Sequence, residues 1–377
     1  YDPTGKGQWS IRGGYGVGYY RVEGNDTYRM VSNPPAARLV TVFNPPLDNP
    51  GAGQAGALRP IAVNTLDPLY EVPYVQTYSL EVQRELTPGW AASLAYVGSR
   101  GVHLDRARNI NQPLRSGNFD FDTRLNTREI PTELIRPFQG YTNISQIENT
   151  GSSTYHSMQA TLKRRFSKGL LFDIVYTWSR TITDASDFGE NPQDSYNLNA
   201  ERAAASFDRT HMLILNYIYE LPFLRDQSKL AGKMFGGWQV SGITQFQSGT
   251  PRNLGLTGAS IGLAARPNLK SGTSITGPKT VAQWFNTAAF EAPAFGFFGS
   301  AGRNLIRGPG IHNWDFAVFK NFGIREKTRL QFRAEWFNFF NHTNFDGVST
   351  TLGAGNFGQV TSARSARVTQ VALKFEF

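Results

Sequence analysis

The chain has 377 residues and no cysteine, which removes disulfide frameworks, thiolate metal centres and cysteine nucleophiles. Its 38 Lys and Arg outnumber 29 Asp and Glu, giving a net charge of +9. The basic residues are scattered, in short runs such as Lys163-Arg164-Arg165, so no nucleic-acid face is expected, and a lumen or membrane rim that favours anions accounts for the excess.

Aromatic residues make up 13% of the chain, with 38 Gly and 20 Pro, a mixture that strands and turns use and long helices tolerate poorly. No apolar run approaches the ~20 residues of a membrane helix. The sequence begins at Tyr1 without a basic or apolar leader, so it is expected to be a matured product or a piece of a longer protein.

Taken in chain order, the segments alternate with period two. The first carries Ile11, Tyr15, Val17 and Tyr19 on one side. Its glycines, Gly13, Gly14, Gly16 and Gly18, suit curvature or a close lumen contact better than a phosphate site. Next, Tyr74, Tyr78, Leu80, Val82 and Leu86 alternate with Val75, Thr77, Ser79, Glu81 and Gln83, and Trp90, Ala92, Leu94 and Tyr96 follow. Met158, Ala160 and Leu162 mark a fourth strand. The clearest is 170–179, where Leu170, Phe172, Ile174, Tyr176 and Trp178 oppose Leu171, Asp173, Val175, Thr177 and Ser179. Wound as a helix, that segment would place Asp173 in the apolar stripe. The series continues with Leu213, Leu215, Tyr217, Tyr219 and Leu221, then Trp238, Val240, Thr244 and Phe246, then Trp314, Phe316, Val318 and Phe322. Leu330, Phe332, Ala334 and Trp336 oppose Gln331, Arg333 and Glu335, and Val371, Leu373, Phe375 and Phe377 close the chain. The expectation is ten strands, each close to the ~9–11 residues of a tilted membrane strand.

The connections decide between architectures. Thr87-Pro88-Gly89 and Ser167-Lys168-Gly169 are tight turns, 323–328 is short and 222–237 moderate. Between them lie long linkers at 21–72, 105–154, 180–208, 249–313 and 340–364. Strict alternation of short and long predicts an all-β, antiparallel outer-membrane barrel segment occupying 1–377, with short periplasmic turns and long extracellular loops. Ten strands either curl into a small closed barrel or remain an arc with two free edges. Trp9, Trp90 and Trp238 open upward strands, Trp178 and Trp336 end them, and Trp314 opens a downward one, which predicts aromatic belts at both membrane rims. Arg84, Arg164 and Lys320 fall on the lipid side three residues before a periplasmic turn, where a long side chain snorkels to headgroups. Outer-membrane lipid is therefore an expected partner.

At this point the residues support a resemblance. The stretches 74–86 (YVQTYSLEVQREL), 238–251 (WQVSGITQFQSGTP) and 330–345 (LQFRAEWFNFFNHTNF) resemble TonB-dependent receptors of the Oar-like, carboxypeptidase-regulatory-domain-containing type. The terminal Val371, Leu373, Phe375 and Phe377 resemble the signal read by the barrel-assembly machinery. The resemblance implies the C-terminal part of a barrel of about twenty-two strands around a plug. The plug and the segment that contacts TonB would lie before Tyr1. It further implies energised uptake of a small-molecule, sugar or peptide solute. A structural or adhesive outer-membrane protein and a passive pore are the alternatives.

No catalytic, cofactor or metal residue is assigned, and no enzyme activity is expected. His103, His156, His211, His312 and His342 lack metal-binding spacing, and Asp208 with His211 makes no paired-carboxylate arrangement. Asp184, Asp187, Glu190 and Asp194 are expected to form a solvated acidic loop. Arg333 and Glu335 face the lumen, as a charge pair or as contacts for the plug. In the long loops, Tyr196, Arg202, Trp284 and Phe285, with Phe297 and Phe298, suit stacking on a sugar or peptide. They equally suit packing the loops on themselves.

Overall fold

Apolar residues at every second position can bury only one face of a sheet, and the chain is built around that constraint. The computed structural model describes residues 1–21, 24, 28–34, 48, 60–113, 135–224, 229–258, 265–294, 297–325 and 328–377. Parts of the linkers 21–72 and 105–154 lie outside the described residues. Ten strands follow one another in a meander: β1 (Trp9–Tyr19), β2 (Tyr74–Thr87), β3 (Trp90–Asn109), β4 (Tyr141–Ser167), β5 (Leu170–Thr183), β6 (His211–Glu220), β7 (Trp238–Gln247), β8 (Ile311–Arg325), β9 (Thr328–Phe337) and β10 (Val368–Glu376). Each pairs antiparallel with the next, and β1 and β10 are the two edges of an open sheet. The short strand Ile61–Leu66 runs parallel to β4, and Ala203–Ala204 pairs with β5. Among the described residues no helix is long and apolar enough to cross a membrane.

These are the ten strands that the alternation predicts, but two are much longer than expected. β3 has 20 residues and β4 has 27. At about 3.3 Å per residue β4 is on the order of 90 Å long, far more than a bilayer needs. The linker expected at 105–154 is thus partly a continuation of the β3–β4 ladder. Its sequence is too polar to announce a strand. Pairing survives because bulges between Gly101, Leu104 and Arg106 absorb the change of register.

The register sets one face. Tyr78 lies opposite Gly98, and Tyr217 opposite Gly242. A Cβ on Gly98 would stand 2.2 Å from the Tyr78 ring, and one on Gly242 would stand 2.4 Å from the Tyr217 hydroxyl. The phenol rings cover bare backbone on the neighbouring strand, an arrangement in which only glycine leaves room.

A second repeated pair marks the tight-turn end. Arg84 is opposite Trp9, Arg164 opposite Trp90 and Lys320 opposite Trp238. Each cation lies over the indole, at 4.8, 5.2 and 5.5 Å from the ring centroid. For Lys320 this replaces the expected reach to headgroups. Only 1% of Lys320 is exposed. Its Nζ donates to the carbonyls of Lys233 (2.6 Å), Met234 (3.1 Å) and Gly236, capping the short helix α1 (Leu230–Phe235) in the 222–237 turn. Terminal helix carbonyls lack partners, and a lysine supplies donors to three at once.

At the opposite end the long loops fold. Pro251–Arg252 pairs with Ile306–Arg307, Asn268–Leu269 with Phe290–Glu291, and Gly255–Leu256 runs parallel to Thr351–Leu352. Leu254, Phe285, Ala289, Phe290, Ala301 and Ile306 form a buried cluster, with Val348 and Phe357 of the last loop packed against it. The loops after β7 and β9 thus share one hydrophobic core and form a cap.

Candidate functional site

The cap is held to the barrel by buried charge. Arg266, in the loop after β7, makes a two-pronged bond to Glu201, in the loop after β5, at 2.7 and 2.9 Å. Their side chains are 3% and 1% exposed. Arg303 donates to Glu190 (2.7 Å), to the Glu201 carbonyl (2.7 Å) and to the Thr183 carbonyl. Arg307 binds the Asp208 carboxylate and the Gly249 carbonyl. Three arginines of one loop therefore fasten three acids of another. Fork-shaped guanidinium groups suit this, since each satisfies several acceptors in a fixed plane. Below them Arg108 of β3 bonds Glu148 of β4 at 2.7 Å. Beside that pair Arg106 is fully buried, and burial pushes its pKa down against the pull of Asp184, Glu148 and Glu201. Tyr70 and Tyr20 both donate to Asp105, at 2.7 and 3.0 Å. Burial raises the Tyr70 pKa, so this hydroxyl keeps its proton and remains a donor.

This network corrects the expected solvated acidic loop. Asp184 accepts from the Ser152 N–H (2.9 Å) and hydroxyl (3.0 Å), Glu190 binds Arg303, and Asp194 is buried. Asp187 bonds the Gly189 N–H at 2.8 Å. Local pattern carries no sign of this, because the partner of Asp184 lies 32 residues away and that of Glu190 lies 113 away. Among the described residues no group of three or more His, Asp or Glu gathers as a metal site.

The loop residues singled out from the sequence fall into two environments. Phe285 is 3% exposed and meets Phe290 and Phe357 edge-on, at 5.8 and 5.2 Å. Trp284 packs on the same cluster and donates Nε1 to the Arg307 carbonyl at 2.8 Å. Both belong to the packing of the cap, and Phe285 is not available for stacking on a ligand. Tyr196 and Arg202 are exposed. The Tyr196 hydroxyl donates to the Gln112 carbonyl (2.8 Å), and desolvation at that end of the side chain raises its pKa. Arg202 reaches the Ser152 hydroxyl at 3.4 Å. Phe297 is exposed and Phe298 half-buried.

On the polar face of the sheet, Arg333 and Glu335 stand 3.5 Å apart, with Arg333 over the Phe319 ring at 5.8 Å. Arg12–Glu81 (3.9 Å) and Lys163–Asp173 (3.8 Å) are further pairs on that face. All are partly exposed, so each contributes little to stability. On the opposite, apolar face Val371, Leu373 and Phe375 of β10 point outward, and Phe377 is 96% exposed beyond it. Trp9, Trp90 and Trp238 lie at the tight-turn end, while Trp178, Trp314 and Trp336 lie at the cap end.

Sequential antiparallel strands, apolar on one face and polar on the other, with tight turns below and folded loops above, define an outer-membrane β-barrel protein. Residues 1–370 match the family described as outer membrane beta barrel domain, and the chain belongs to that family. It is a protein of the cell outer membrane, and the family is one of membrane barrels. No curated protein matches the sequence significantly. Among solved structures, the outer membrane transporter YddB from Escherichia coli is similar in fold, with a TM-score of 0.57 at 11% identity, covering 100% of this chain and 40% of that one. FpvA of P. aeruginosa, solved with pyoverdines, gives 0.45 at 11% identity over 99% of this chain and 31% of that one. The siderophore receptor PiuA from Acinetobacter baumannii gives 0.45 at 8%, over 98% and 34%. The chain therefore spans less than half the length of the structures it resembles.

Proposed function

We propose that the chain is the C-terminal part of the barrel of a TonB-dependent receptor, of the Oar-like, carboxypeptidase-regulatory-domain-containing type, serving energised uptake of a solute. The observation that carries this reading is the superposition of the whole chain on 40% of an outer-membrane transporter. A polar inner face under a folded extracellular cap supports it. The solute is a small molecule, sugar or peptide, met first by exposed loop side chains such as Tyr196 and Arg202. Arg333 and Glu335 are the inner-face groups that meet the plug. The six tryptophans Trp9, Trp90, Trp178, Trp238, Trp314 and Trp336 form the aromatic belts, and Val371, Leu373, Phe375 and Phe377 form the signal to the barrel-assembly machinery.

The test uses the full-length gene product, purified in detergent, and the periplasmic domain of TonB as probe. Saturable binding of that domain is expected, and its failure to bind overturns energised uptake in favour of an adhesin or pore.

A further inference from the structure

Where the apolar face of β5–β8 meets the cap, a groove of about 710 Å³ opens. Its two walls differ in chemistry. The lower wall is barrel: Leu213 and Phe246 face each other across β6 and β7, continuing the apolar strip below. The upper wall is cap: Lys279, Trp284 and Arg307. At the level between them stand His211 and His312. Among the described residues no Asp or Glu lines the groove.

The level is fixed by neighbours. His211 lies directly opposite Trp178, and His312 is two residues from Trp314, so both imidazoles sit at the height of the cap-end tryptophans. Aromatic belts mark the boundary between hydrocarbon and headgroups. Each imidazole is held in place. His211 Nδ1 is hydrogen-bonded to the Tyr176 hydroxyl at 2.9 Å and the two rings stack, which leaves Nε2 for another partner. His312 stacks on His342 at 5.7 Å and meets the Phe246 ring edge-on at 5.5 Å. The Arg307 guanidinium is fixed by Asp208 and by Thr210 (3.0 Å), so it shapes the wall, and Lys279 is the exposed cation of the groove. Lys279 is exposed and has a φ of 56°, a left-handed backbone that an ordinary residue adopts at a cost.

We propose that this groove binds a phosphate-bearing lipid of the outer leaflet, its headgroup against Lys279, His211 and His312 and an acyl chain over Leu213 and Phe246. A dissolved anion would use the upper wall alone, and an uncharged lipid the lower wall alone. Only an amphiphile with an anionic head uses both. The site lies on the outside of the barrel, so it is independent of solute uptake and of TonB.

The experiment is native mass spectrometry of the full-length protein in neutral detergent. The probes are lipid A with its phosphates, the same lipid A dephosphorylated, and inorganic phosphate. Phosphorylated lipid A is expected to bind about tenfold more tightly than the dephosphorylated form, the equivalent of roughly 1.4 kcal/mol. Lys279→Glu removes that preference and Lys279→Arg keeps it. His211→Gln weakens it, as a second variant in a different element. Equal retention of the two lipids, or a Lys279→Glu protein that keeps the preference, overturns the proposal. Displacement of the lipid by equimolar inorganic phosphate also overturns it, making the groove a free-anion site. Each variant is first checked for the barrel's heat-dependent gel mobility, so a loss of binding is read only from folded protein.

Discussion

At the scale of single residues, the molecule repeatedly places one side chain where backbone would otherwise be bare. Lys320 is the sharpest case, a buried ammonium whose three donors meet the carbonyls that end α1. Lys320→Met keeps the length and removes the donors, leaving those carbonyls without partners. The expected cost is about 1–3 kcal/mol, read as a lower urea midpoint in the folded-to-unfolded gel shift. Gly242 makes the complementary point. A side chain there meets the Tyr217 hydroxyl and the Asp315 carbonyl, the latter 2.8 Å from an added Cβ. Gly242→Val is expected to destabilise by about 1–3 kcal/mol, whereas Gly18→Ala, where nothing lies within 4 Å, costs much less in the same assay. Neither role was legible from local sequence. A lysine on an apolar face reads as an exception to be tolerated, and only the cross-strand register reveals what it binds. The tight-turn ends of β1, β3 and β7, which open on Trp9, Trp90 and Trp238, were legible because the alternation begins there.

At the scale of elements, the strands and loops obey different rules. All ten strands were readable because burying one face of a sheet imposes period two on the sequence, and 170–179 within β5 shows it without a break. The upper halves of β3 and β4 were not, because they stand beyond the bilayer among polar partners, where no apolar stripe is required. The cap was legible in composition only. Trp284 and Phe285 announced aromatic contacts, but whether with ligand or with Phe290 and Phe357 depends on residues distant in sequence. Its attachment gives a test. Glu201→Ala leaves Arg266 buried without its partner, an imbalance worth about 3–5 kcal/mol. Faster cleavage of the 249–313 loop by added protease is expected, with the barrel's own heat-dependent mobility unchanged. Loss of both together would mean that the cap and the sheet are one cooperative unit. For β10, Phe377→Ser in the full-length protein is expected to lower outer-membrane yield, since the exposed terminal aromatic is the proposed recognition signal. Normal yield from this variant would sink that assignment.

At the scale of the whole molecule, the proposed transport role separates from a passive pore by electrical behaviour. The full-length protein in a planar bilayer is expected to conduct little until denaturant loosens the plug. Steady conductance without denaturant would favour the pore. The meander itself has a consequence for how such barrels diversify. Each of the ten meander strands pairs with those adjacent to it in the series, and the short strand Ile61–Leu66 on β4 is the departure. A hairpin is therefore a self-contained unit of circumference. Duplicating or deleting one in the gene would change the girth of the wall while leaving the pairings elsewhere as they were. The β5–β10 region is the exception. There the buried ion pairs between the loops after β5 and β7, and the shared core of the loops after β7 and β9, stitch neighbouring hairpins together above the membrane, so that stretch is expected to be inherited as a block.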